Sequence, residues 1–155
     1  MCSSDLTDDN VLPLIRSDVS SGVLHLGPKD NTSITTTDLT YTLTVKSLKS
    51  LIRSGSATIT ASDIRASGLS IVLQGAGGVQ IAGQADSENV SLNGAGDYDA
   101  SNLAVRAATV ELNGAGQAMV RASDSLTATI NGAGQVRYFG NPSVTHNGGG
   151  EVVKA

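Results

Sequence analysis

Apolar residues recur at every second position in a series of short runs, and each run stops at a glycine-rich triplet. Two places before Gly75, Gly94, Gly114 and Gly132 stand Leu73, Leu92, Leu112 and Ile130. Four places before stand Ile71, Val90, Val110 and Ala128, separated from the first set by the mostly polar Val72, Ser91, Glu111 and Thr129. Period two marks a strand with one buried face. A second alternating run opens after each triplet, at Val79/Ile81, Tyr98/Ala100, Ala118/Val120 and Val136/Tyr138. Corners of small and polar residues follow, such as Gly83-Gln84-Ala85-Asp86 and Ala122-Ser123-Asp124-Ser125. Each unit therefore reads as strand, glycine corner, strand, looser corner.

The triplets are Gly75-Ala76-Gly77, Gly94-Ala95-Gly96, Gly114-Ala115-Gly116, Gly132-Ala133-Gly134 and Gly148-Gly149-Gly150, with a degenerate first copy at Gly55-Ser56-Ala57. Intervals between first glycines are 20, 19, 20, 18 and 16 residues. A near-fixed period marks a repeat architecture. Asn-Gly is also the strongest short-range hairpin signal, so an antiparallel meander competes with a β-solenoid. Columns of like residues decide for the solenoid. Equivalent positions touch only when coils stack about 4.8 Å apart. The Leu73/Leu92/Leu112/Ile130 column then becomes a continuous core. Asn93, Asn113, Asn131 and Asn147 are expected to form an amide ladder, although asparagine also suits a left-handed turn without any stacking. The first or third triplet glycines should have positive φ. Six turn marks imply about five coils, a rod about 25 Å long.

With these residues in view, the chain resembles the auto-transporter adhesin family with the head GIN domain, whose members carry repeated turns like Asn-Gly-Ala-Gly. The lead-in is similar too: Asn10-Val11-Leu12-Pro13-Leu14-Ile15, Gly22-Val23-Leu24-His25-Leu26 and Leu48-Lys49-Ser50-Leu51. The resemblance covers residues 8–155. It implies an exported bacterial protein with a right-handed, single-stranded β-helix-like solenoid. It implies a role in adhesion and no catalytic residues. Arg53 departs from the family pattern, standing where an apolar residue is usual, and this questions the inward packing of the first coil.

At 155 residues the chain is one domain. Residues 51–155 hold the repeats. Residues 7–50 form a non-repeating β section, with strands expected over Asp18–Leu26 and Thr40–Lys46 and a turn at Gly27-Pro28-Lys29-Asp30-Asn31. This section is expected to cover the first coil, whose edge would otherwise stay unpaired. Met1-Cys2-Ser3-Ser4-Asp5-Leu6 resembles a non-native leader, and its lone cysteine, which allows no intrachain disulfide, competes for the reading of a lipoprotein start. The last strand, with Glu151 and Lys154 as its only charges, is expected to favour self-association.

Composition narrows the chemistry. Three tyrosines, one phenylalanine, no tryptophan and a net charge of −4 argue against a nucleic-acid partner. No stretch reaches the roughly 18 apolar residues of a membrane span. Asp97 and Asp99 invite calcium, but the equivalents of Asp97 are Gly78, Gln117 and Gln135, so no metal is expected. His25 and His146 lack ligating neighbours, and His146 falls in the aliphatic column as a partly covered structural residue. Arg65, Arg106, Arg121 and Arg137 are spread over the coils with no recurring acid beside them. No nucleophile elbow or phosphate loop is present. Thr-x-Thr pairs such as Thr40/Thr42 and Thr58/Thr60 do not recur at one offset, which argues against an ice-binding face. The sequence thus points to a non-enzymatic, exported surface module that uses no cofactor. Its expected partner is an unidentified surface protein or glycan. The alternatives are a self-associating structural protein, forming homo-oligomers, and, more distantly, a carbohydrate-active β-helix enzyme.

Overall fold

The computed structural model describes the backbone of residues 15–20, 23–28 and 40–44, and all atoms of residues 47–155. The strands are β1 (Ile15–Ser20), β2 (Val23–Pro28), β3 (Thr40–Thr44), β4 (Ser50–Ser54), β5 (Thr58–Gly75), β6 (Gly78–Gly94), β7 (Asp97–Gly114), β8 (Gln117–Ile130), β9 (Gln135–Phe139), β10 (Ser143–Gly148) and β11 (Glu151–Lys154). Apart from the antiparallel β1–β2 pair, every pairing is parallel. The result is an all-β solenoid of about six turns, one more than the turn marks suggest.

The extra turn comes from the non-repeating section. Where one strand is expected over Asp18–Leu26 there are two, β1 and β2, which pair antiparallel, and β2 pairs with β4 in parallel, Leu24 opposite Leu51. β3 pairs with β5, Tyr41 opposite Ile59. The section thus lengthens the same sheet. Of the turn expected at Gly27-Pro28-Lys29-Asp30-Asn31, Gly27 and Pro28 belong to β2, and residues 29–31 lie outside the described residues.

Parallel register follows the apolar columns. Leu73, Leu92, Leu112 and Ile130 stand opposite one another coil by coil, all at most 1 % exposed. Ile71, Val90, Val110 and Ala128 line up beside them, and Ile59, Val79, Tyr98, Ala118 and Val136 fill the second strand's side. Burying each large aliphatic side chain stabilises by roughly 1.5–3 kcal/mol, so the core is a sum of small nearest-neighbour contributions along the rod. The looser corners do not break the strands. They pass as register shifts, between Ala61 and Ile64, Gln80 and Ala82, and Ala100 and Ala104.

The glycine corners are tight for two reasons. Gly55, Gly75, Gly94, Gly114 and Gly148 have positive φ, whereas among the third glycines only Gly77 does. The clearest case is Gly75, at φ 107°, where a Cβ would also lie 2.7 Å from the Gly55 carbonyl oxygen. Close approach extends to glycines with ordinary φ. A Cβ on Gly96 would lie 2.9 Å from the Gly77 carbonyl oxygen, and one on Gly134 2.7 Å from that of Gly116. A Cβ on Gly132 or Gly116 would strike the carbonyl of Gly114 or Gly96. Backbone stacks directly on backbone at these corners, leaving no room for a side chain.

The last coil differs from expectation. It joins β10 to β8 with an offset of 18 residues, two more than the motif spacing, so Gly148 faces Ile130 and Gly150 approaches Gly134. His146 consequently stands opposite Ala128 and is exposed, not partly covered. β10 lies outermost, and its residues, Val144 included at 39 %, are all exposed.

Candidate functional site

The side of the solenoid that carries the looser corners is concave. A hollow of about 600 Å³ crosses three coils there, within the range of small-ligand sites. Ala66, Ala85 and Val105 pair in one register column and form its floor, with Ala85 and Val105 buried. The polar lining comes from Arg65, Gln84, Asp86 and Arg106, all exposed, with Ser67 and Ser123 at the rim.

Register explains the grouping. Arg65, Gln84, Ala104 and Arg121 are successive partners in one outward column. Arg65, Gln84 and Ala104 lie ten residues before their glycines, whereas Arg121 lies eleven before Gly132, because β8 carries one extra residue between Ala122 and Ser125 where β7 runs from Val105 to Ala107. Asp86 and Arg106 both lie eight before their glycines, as does Asp124. Arg106 Nε donates to Asp124 Oδ2 at 3.1 Å, an exposed ion pair worth little to stability. The Ser123 hydroxyl, 2.6 Å from Asp124 Oδ1, and the Arg106 guanidinium hold the Asp124 carboxyl below its usual range. Arg121 is held firmly: its Nε donates to the Ser101 carbonyl at 2.7 Å, and its guanidinium lies over the Phe139 ring, 5.5 Å from the centroid.

A family model described as "Putative auto-transporter adhesin, head GIN domain" matches residues 6–142. The chain belongs to this family. Two solved structures share its fold. A putative adhesin from Bacteroides fragilis is 20 % identical with a TM-score of 0.71, over 99 % of this chain and 83 % of that one. A putative lipid binding protein from Parabacteroides distasonis is 20 % identical with a TM-score of 0.64, over 96 % of this chain and 81 % of that one. No curated protein matches the sequence.

This head GIN domain distributes its other sequence-marked residues along the rod. On the corner side, Asn113 Nδ2 donates to Asn93 Oδ1 at 3.1 Å and Asn131 Nδ2 to Asn113 Oδ1 at 2.9 Å. Asn147 stands outside this ladder. The two-residue slide of the last coil places it opposite Thr129, and Gly149 takes the backbone position beyond Ile130. Asp97 heads an outward column with Gln117, Gln135 and Glu151, in which Gln135 Nε2 donates to Glu151 Oε2 at 2.7 Å. Asp99 accepts from the Ser101 backbone at 2.9 Å, a local turn. Among the described residues no group of three potential ligands gathers as a metal site. No helix there is long and apolar enough to cross a membrane, which says nothing of strands.

Among the described residues two buried charged side chains, Arg53 and Glu88, break the apolar interior. Arg53 occupies the leucine column opposite Leu73 at 1 % exposure, and its Nη1 donates to the carbonyls of Ala57 at 2.6 Å and Ala76 at 2.7 Å. Its Nε and Nη2 find no acceptor, and burial lowers its pKa. Glu88 occupies the column of Leu69, Ala108 and Leu126. Its Oε1 accepts a hydrogen bond from the Tyr98 hydroxyl, and its Oε2 has no partner. Burial raises its pKa to about 7, against the lowering effect of the Tyr98 bond. Sequence reasoning passed over Glu88, yet the signal was there: Leu69, Glu88, Ala108 and Leu126 all lie six residues before their glycine.

Proposed function

We propose that this domain is a non-enzymatic, exported, cell-surface binding module that presents its arginine-lined concave side to a ligand. The observation that carries the reading is the hollow itself: a polar lining on an alanine and valine floor, repeated across three coils of a continuous sheet. Its lining holds one acid, Asp86, whereas general acid–base hydrolysis of a glycan calls for two groups flanking the bond. A backbone-stacked rod also suits presentation, because ligand contacts repeat at interstrand spacing on a rigid element. Membership of an adhesin family supports the same reading. Beads coated with the protein should be retained on a cultured epithelial layer above beads coated with an unrelated protein of similar charge. Equal retention would sink the binding reading.

A second reading, end-to-end self-association, draws on the outer edges of β10 and β11 and on exposed Val144. Sedimentation over a concentration series separates the two. A monomer that still adheres supports the binding module, and reversible linear growth supports assembly.

A further inference from the structure

The chain carries a net charge of −4, yet its arginines are unevenly placed. Downstream of Arg53 there are four: Arg65 and Arg106 line the hollow, Arg121 stands one coil past the hollow's Ala104 in the same column, and Arg137 lies on β9 away from it. No lysine occurs between Lys49 and Lys154. Arginine at these positions means planar forks that match carboxylates two bonds at a time, where lysine would supply point charges. Arg65 and Arg121 share a column three interstrand steps apart, about 14 Å at the standard spacing. Gln84, an exposed residue, stands between them, and Arg121 is already fixed by the Ser101 carbonyl and Phe139. Ala85 and Val105 are nearly covered, so the accessible apolar part of the lining is Ala66 and the exposed Ala104, and no aromatic side chain lines the hollow.

We infer that the looser-corner groove binds an acidic polysaccharide, lying along the solenoid axis, with uronate carboxylates on Arg65 and Arg121. The intervening sugars pass over Ala66 and Ala104, whose small side chains leave room for the rings. Gln84 and Asp86 take hydroxyl groups, Gln84 as donor and acceptor and Asp86 as acceptor. Arg106, balanced by Asp124, positions the groove wall and adds no net charge. The net charge of −4 helps selectivity, because it disfavours unspecific attraction of a polyanion to the rest of the surface.

This inference rests on the binding-module reading and is tested apart from it. Binding is measured by calorimetry with polygalacturonate fragments, with the same fragments after reduction of their carboxyls, and with heparin. Wild type should bind the carboxylated polymer, about tenfold or more tighter than the reduced one, and the double variant Arg65→Gln/Arg121→Gln should lose a similar factor. Arg137→Gln, off the groove, should bind as wild type does. Rising salt should weaken binding. Equal binding of the reduced polymer, or an unaffected double variant, overturns the inference. Binding to heparin without polygalacturonate overturns the uronate assignment. Beads that adhere to cells while polygalacturonate fails to bind would remove this ligand class and leave the binding module standing.

Discussion

Replacing Glu88 by glutamine should stabilise the protein at pH 8 and leave it nearly unchanged at pH 4. Glu88 is 2 % exposed, one carboxylate oxygen is unpartnered, and its pKa rises from 4.5 to about 7. At pH 4 both folded and unfolded chains hold the proton, so the group adds no pH-dependent term. Between 4.5 and 7 the unfolded chain releases its proton first, and folding must take one up. Stability therefore falls as pH rises through that window and stays lower above about 7. A gap of about 2.5 units corresponds to about 3 kcal/mol. Glutamine keeps a carbonyl oxygen for the Tyr98 hydroxyl and never ionises. The column neighbours Leu69, Ala108 and Leu126 bring no charge, Tyr98 is pushed above its usual pKa and stays neutral here, and Asp99 acts on Tyr98 in both proteins. Thermal melts followed by circular dichroism should show Glu88→Gln melting roughly 6–12 °C higher at pH 8, at about 2–4 °C per kcal/mol. A difference between variant and wild type that stays flat from pH 4 to pH 8 would refute the argument.

Other substitutions probe the stacking. Gly75→Ala should cost roughly 1–3 kcal/mol, because its φ is positive and its new methyl meets the Gly55 carbonyl; an unchanged melt would show that the corner yields. Asn113→Ala removes a donor and an acceptor from the ladder and should lower stability by about 0.5–1.5 kcal/mol, whereas Asn147→Ala should do nothing measurable. Equal effects at both sites would deny the ladder any energetic role. Leu112→Ala, at 0 % exposure in mid-column, should cost about 2–5 kcal/mol in chemical unfolding; a loss below 1 kcal/mol would mean that the coils close over the gap.

The central coils were legible because each carries the same offsets from its glycine. Leu73 to Ile130 could be aligned by counting, and Glu88 could have been found by the same count at six residues. The final coil could not, because the motif spacing shrinks to 16 residues while β10 needs 18 to pair with β8. Counting from the motif put His146 and Asn147 two positions out. The groove was hidden for a related reason. Arg65 and Arg121 sit at different offsets, and only the register across the irregular corner between β7 and β8 brings them into one column. Arg53 was flagged as an oddity in the apolar column, but sequence could not show that two corner carbonyls would receive it.

The amide ladder also sets how the protein ages. An asparagine followed by glycine loses ammonia when the glycine backbone nitrogen attacks the side-chain carbonyl and closes a five-membered imide, which water then opens to aspartate or isoaspartate. Closure requires that side chain to swing freely onto its own backbone. Asn113 and Asn131 are tied to the neighbouring coil, whereas Asn147 lies on the exposed outer strand and outside the ladder. Chemical damage should therefore begin at the Asn147-Gly148 bond and move inward only as coils open. Conversion of Asn131 or Asn113 would place a carboxylate oxygen against the acceptor oxygen of Asn113 or Asn93, loosening the contact between those coils. The stacking order of the rod is then also the order in which it wears out.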